Sequence, residues 1–251
     1  MTEEEKIKYW LSLQPKNVSK EMSVCSREDV GPLYRIDTQP PAMFTPRMPM
    51  SAGSNENTSV PRICVSDCIL GCMIGYNIGR MAISHIDGKI NIKGYEKFVG
   101  GWIVSELEYE QCVKPKKKLV MDAEDTGEYW LVGYAKEMAS VKPKTVGKFF
   151  FERVQYVSPV EAGMDEPFPI IVIYAEITRD DGVAFTKERV LEKGCYEITL
   201  TPHKNDRLTL YSANKDHDIR IVPIGDGEFK KRKSQACAML TYTPPVSADW
   251  Y

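Results

Sequence analysis

The sequence predicts an α+β protein that ends in an antiparallel, β-rich unit. Two patterns carry that expectation. Within residues 1–158, short strand-like runs alternate with two helical segments, and beyond residue 165 strand-like runs follow one another at turn spacing. The expected division is therefore a domain over 1–158 with its N-terminal helix, and a β-rich accessory domain over 165–251.

The helix at 2–13 is the most local of these elements. Thr2 stands where a cap is needed, Glu5 sits at the reciprocal position of a capping box, and Ile7, Trp10 and Leu11 make an apolar stripe. LYRID at 33–37 alternates as a strand does and stops at Pro40-Pro41, where two missing N–H groups end a ladder. Residues 46–61 are rich in Pro, Ser and Asn and read as a loop. RICVS (62–66) is a short buried strand that runs into a helix over 67–83, with Ser66 or Asp67 as its cap. GWIVSELEYE (101–110) alternates, and KFFFERVQYV (148–157) is rich in strand-forming residues. After a linker at 158–169, IIVIYAEIT, VAFTKERVL, CYEITLTP, RLTLYSA and DIRIVPI are separated by DDG, EKG, HKND and NKDHD, and a GDG turn follows the last. Such short strands with close turns build a sandwich or barrel.

Composition excludes several functions. The chain has 251 residues, 33 Lys+Arg against 35 Asp+Glu, and a net charge of -2, so no global field draws it to nucleic acid or anionic membrane. The basic runs Lys116–Lys118 and Lys230–Lys233 are short and flanked by acidic or polar residues, as on a solvated surface. It contains no apolar run of about 18 residues that would span a bilayer. MTEEEKIKYWLSL lacks the basic and apolar regions of a secretory signal, so a cytoplasmic protein is expected. Seven cysteines, an odd number, argue for reduced thiols. Cys64, Cys68 and Cys72 repeat every four residues, a spacing that stacks small side chains on a helix face better than it converges thiolates on a metal. His85, His203 and His217 are scattered, and no glycine-rich dinucleotide loop, phosphate-binding loop or nucleophile elbow occurs.

Arg35 stands between two large apolar residues on a short strand. A guanidinium turned inward there needs an anion or a carboxylate; turned outward, it pairs with Asp37 or meets water. The surrounding pattern, Leu33-Tyr34-Arg35-x-Asp37-x-x-Pro40-Pro41, resembles the first motif of the cholera-toxin-like ADP-ribosyltransferases, the Arg–Ser–Glu class. In that family a loop follows, then a strand ending in a Ser-Thr-Ser motif, then a helix; Val65-Ser66-Asp67 and the helix after it hold that order, with Ser66 alone kept from the triplet. A further strand and a loop with the catalytic glutamate come next, and here the loop offers Asp122, Glu124, Asp125 and Glu128.

The resemblance covers about residues 32–158 and implies a split β core with flanking helices, NAD as substrate, no metal, and a protein as acceptor of ADP-ribose. It implies that Glu128 stabilises the oxocarbenium-like ribose as the nicotinamide bond breaks, the chemistry of glycoside cleavage. Arg35 would hold the pyrophosphate, Ser66 would orient the glutamate or bond the ribose, and Tyr34, Tyr129 and Trp130 would complete the NAD-binding group. Thr126 fills the earlier slot of the family's Glu-x-Glu pair, which leaves Asp122 with Glu124 as the alternative acids and takes support from arginine as the acceptor. A chain of this kind would be a cytoplasmic enzyme or an effector delivered by a secretion system or a virus. The competing expectation is a non-enzymatic binding or structural protein that acts through its β-rich C-terminal half, with Tyr129 and Trp130 as plain core.

Overall fold

The computed structural model describes residues 1–37, 40–49, 56–75, 101–156, 169–201 and 219–240. The protein is a mixed α and β structure, mostly strand, built on a large antiparallel sheet. Helix α1 (Glu3–Ser12) forms with the expected capping box: the Glu5 N–H donates to the Thr2 hydroxyl at 3.2 Å, and the Thr2 N–H donates to the Glu5 carboxylate at 2.7 Å. Its apolar stripe buries Ile7 completely, with Trp10 and Leu11 packed beside it. The short helix α2 (Lys16–Ser19) leads into strand β1 (Met22–Ser26). Helix α3 (Arg27–Val30) follows, then β2 (Leu33–Asp37) and β3 (Ile63–Ser66). Helix α4 spans Ile69–Gly75, two residues later than expected at its start; the part of the expected helix beyond Gly75 lies outside the described residues.

The next strands are β4 (Trp102–Leu107), β5 (Gln111–Pro115), β6 (Glu128–Leu131) and the long β7 (Pro143–Tyr156). Then come β8 (Pro169–Ile177), β9 (Val183–Ala184), β10 (Val190–Leu191), β11 (Gly194–Leu200) and β12 (Ile219–Ile224). Ten of these make one sheet in the order β1-β5-β6-β3-β2-β4-β7-β8-β11-β12, and β9 with β10 forms a separate two-stranded ribbon. The C-terminal strands thus continue the sheet of the N-terminal ones: β8 pairs along β7, from Gly147 opposite Ile177 to Tyr156 opposite Pro169. The strand-like RLTLYSA run and the 158–168 part of the linker lie outside the described residues.

The GDG segment opens a helix, α5 (Asp226–Leu240), where the sequence suggested only a solvated basic run. Phe229 anchors it in a small cluster with Tyr174 and Cys195, while Arg232 and Lys233 lie over the rings of Tyr174 and Phe150, 5.8 and 5.0 Å from their centres. The aliphatic stems of these basic residues cover apolar surface that a charge count reads as solvated.

Three apolar clusters organise the sheet. One packs α4 through Ile69, Leu70 and Met73 on Tyr34, Ile36, Val104, Phe149 and Ile173. A second lies around Leu33, Val65, Leu107, Cys112 and Tyr129, and a third places α1 on Val113 and Trp130. Helix α4 approaches the sheet closely because Gly71 has no side chain: a Cβ there would stand 2.0 Å from the Thr126 carbonyl oxygen and 2.3 Å from the Ser66 hydroxyl. Gly71→Ala is therefore expected to cost about 2–3 kcal/mol and lower the melting temperature by roughly 5–10 °C. Gly225→Ala, whose Cβ meets nothing within 4 Å, is the matched control and leaves thermal unfolding within about 2 °C of the parent.

Candidate functional site

Arg35, Ser66 and Glu128 are far apart in the chain, and the sheet sets their strands side by side as β2, β3 and β6. Tyr34 lies opposite Ser66, and Ser66 lies opposite Glu128. Alternation along the strands then puts Tyr34, Cys64, Ser66, Glu128 and Trp130 on one face and Arg35 on the other. Arg35 is held on its own face. Its Nε donates to the Asp37 carboxylate at 3.0 Å, its Nη1 donates to the Cys64 carbonyl at 2.9 Å, and its guanidinium lies 5.1 Å from the centre of the Phe44 ring. Burial raises the Asp37 carboxyl above its ordinary range, and the nearby Arg35 opposes that shift.

Glu128 begins β6, half-buried, with Trp130 Nε1 donating to its carboxylate at 2.7 Å. Burial raises its carboxyl above the ordinary value; hydrogen bonding from Trp130 and from the Cys64 thiol, together with the Arg62 charge, pulls the other way. The Arg62 side chain is fully buried, 4.1 Å over the Trp130 ring, and donates to the carbonyls of Asn57 at 2.7 Å and Val60 at 3.2 Å while pairing with Glu56. This is a desolvated charge held by two carbonyls, a carboxylate and an aromatic face.

Cys64 is the residue that joins the two faces. Its carbonyl accepts from Arg35, and its thiol is turned toward Glu128. Burial pushes that thiol up to about 12, so it stays protonated and acts as a donor at neutral pH. Cys64 lies on the strand expected over RICVS, two positions before Ser66; the four-residue spacing with Cys68 and Cys72 drew attention to packing, and the period of two on the strand was the signal that could have shown it sharing a face with Ser66.

The other expected residues are placed differently. Ser66 is buried, donates its hydroxyl to the Thr126 carbonyl at 2.6 Å and accepts from the Cys68 N–H at 3.3 Å. It therefore fastens the turn that leads to Glu128. Gly127 completes that turn with φ at 58°, and a Cβ there would stand 2.2 Å from Asp67 Oδ1. Tyr34, Tyr129 and Trp130 are core residues, at 1%, 7% and 0% exposure. The Tyr34 hydroxyl accepts from the Ala184 N–H at 3.3 Å, which ties β2 to the β9–β10 ribbon. Of the alternative acids, Glu124 is exposed and paired with Lys117 at 3.0 Å, and the Asp122 carbonyl accepts from the Thr126 N–H and hydroxyl. Among the described residues no group of three or more His, Cys, Asp or Glu side chains is placed to hold a metal ion, and no helix is long and apolar enough to cross a membrane.

In chemical terms, the arrangement offers one carboxyl with raised proton affinity, fixed by an indole N–H, at the end of a turn that two buried groups lock. Such a group can accept a hydroxyl proton or stabilise a nearby cation. Searches of protein-family models, of curated proteins and of solved structures each returned no match to the chain.

The raised Glu128 carboxyl has a consequence for stability. A carboxyl whose affinity for protons is higher in the folded than in the unfolded state favours folding while it is protonated, and that contribution is lost as pH rises from the unfolded value through the folded one. Glu128→Gln keeps an acceptor for Trp130 and removes the buried charge. Its free energy of unfolding is expected to exceed that of the parent at pH 7, with the difference shrinking as pH falls through the raised folded value to the ordinary glutamate value and levelling off below it. Denaturant titrations at a series of pH values check this; a Gln variant less stable than the parent at pH 7 contradicts it.

Proposed function

We propose that the chain is an NAD-dependent ADP-ribosyltransferase in which Glu128 is the catalytic carboxylate. The observation that carries the reading is the place of Cys64, whose carbonyl accepts from Arg35 of the first motif and whose side chain shares a sheet face with Glu128, although the three residues come from separate segments of the chain. Adjacent placement of β2, β3 and β6 supports it, as does the helix that follows β3. In the proposed reaction the nicotinamide–ribose bond breaks, positive charge develops on the ribose, and the Glu128 carboxylate stabilises it through a ribose hydroxyl before a protein acceptor or water takes the ADP-ribose.

Arg35 and Ser66 support that carboxylate from behind. Arg35 fixes the Cys64 carbonyl, and so the strand whose thiol faces Glu128; Ser66 fixes the Thr126 carbonyl, and so the turn that ends at Glu128. Direct contact of Arg35 with the pyrophosphate would require its guanidinium to exchange Asp37 for phosphate.

The test is nicotinamide release from NAD, with and without a cell lysate as the source of acceptor. Glu128→Ala is expected to lower the rate about 10²–10³-fold with the fold intact by circular dichroism. Arg35→Ala is expected to lower kcat more than it raises KM, because its action runs through the position of Glu128. A folded parent chain that neither binds NAD nor releases nicotinamide overturns the assignment and returns the non-enzymatic reading.

A further inference from the structure

We infer that Cys25 and Cys112 are a thiol pair built to close into a reversible cross-strand disulfide. The inference does not depend on the NAD reading. Strands β1 and β5 pair antiparallel with Cys25 directly opposite Cys112. Residues in direct cross-strand register have Cα atoms about 4.5–5.5 Å apart, within the roughly 4.4–6.8 Å that a disulfide spans. Both are free thiols in this structure, and each shifts the other's proton affinity.

The two thiols are differently exposed, as an attacking and a resolving cysteine need to be. Cys25 is half-buried on β1, which among the described residues ends the sheet beside β5; Cys112 is fully buried in the cluster with Leu33, Leu107 and Tyr129. The contact with Cys112 lowers the Cys25 thiol to about 7, with help from Lys114 and opposition from burial and from Asp29, while the same contact raises Cys112. Of the two, Cys25 gives up its proton more readily. Other described cysteines are placed differently: Cys64 faces Trp130 of β6, Cys68 lies between β3 and α4, Cys195 faces Ile224 and Glu176, and the Cys72 thiol donates to the Tyr34 carbonyl at 3.1 Å.

The oxidant is a peroxide. The Cys25 thiolate attacks the O–O bond of hydrogen peroxide, which gives a sulfenic acid and hydroxide. The Cys112 sulfur then attacks the Cys25 sulfur; the S–O bond breaks, the S–S bond forms, and the Cys112 proton leaves with the departing oxygen as water. Two thiols lose two electrons in total, and one peroxide becomes two waters. A dithiol restores the starting state by exchange. The link would tie the edge strand to β5 and constrain the unfolded chain across a long loop.

The experiment treats the whole reduced protein with stoichiometric hydrogen peroxide, alkylates the remaining thiols and maps the peptides without reduction. The expected result is one Cys25–Cys112 peptide that dithiothreitol resolves, a loss of two alkylatable thiols per chain, and a higher melting temperature than that of the reduced protein. Cys25→Ser is expected to fold and to remove the cross-link; because Cys112 is buried, the wild-type peptide map carries the result even where Cys112→Ser does not fold. Oxidation that stops at Cys25 with Cys112 still alkylatable after denaturation overturns the inference. So does a cross-link that runs through any other cysteine.

Discussion

Strand β3 is four residues long, and the sheet depends on it. In strand order it stands between β6 and β2, so β1, β5 and β6 reach the remaining strands through this one short ladder. A strand of that length supplies few hydrogen bonds of its own, and side chains secure it instead. Ile63 and Val65 enter one apolar cluster, Cys64 packs toward another, Arg35 binds its backbone from the neighbouring strand, and Ser66 ties its end to the turn before β6. At its entry stands Arg62, whose desolvation is offset by carbonyls, Glu56 and the Trp130 ring. The same contacts that hold β3 also define the surroundings of Glu128, so the stability of the sheet and the chemistry of the candidate site rest on one set of residues.

Charge is distributed to serve that frame. Glu106, almost fully buried on β4, accepts from Arg27 at 2.6 Å and from Arg179 at 2.6 Å, and Arg179 also pairs with Asp181. One carboxylate thus joins α3, β4 and the turn after β8, which are distant in sequence. Asp37 and Glu128 have arginines nearby as well, yet burial raises the proton affinity of both. For these two carboxyls desolvation outweighs the attraction, the balance expected of groups only partly compensated in a low-dielectric setting.

Much of the fold was legible because its signals are local. The capping box of α1 involves Thr2 and Glu5 alone, and LYRID, ICVS and WIVSEL show their alternation to any reader of neighbouring residues. The candidate site was legible only as a list of residue types. Tyr129 and Trp130 look alike in sequence as walls of a pocket or as core, and their burial makes them core. Ser66 reads as a site hydroxyl, but its partner is the Thr126 carbonyl, a contact that strand order alone creates. Cys64 reads as one small residue of a short strand, and its nearness to Glu128 follows only from the pairing of that strand with β6. Helix α5 was missed because the basic residues around Phe229 conceal its contact with Tyr174 and Phe150.

By itself, the sequence determined the caps, the individual strands and the motif around Arg35, since each depends on residues within a few positions of one another. The tertiary structure alone decided that the strands beyond residue 165 continue the sheet of those before it, that Cys25 faces Cys112, and that Cys64 joins Arg35 to Glu128. The physical reason is that β pairing is non-local. A strand presents the same alternating pattern whichever neighbour it takes, and only the register of the assembled sheet selects which side chains meet.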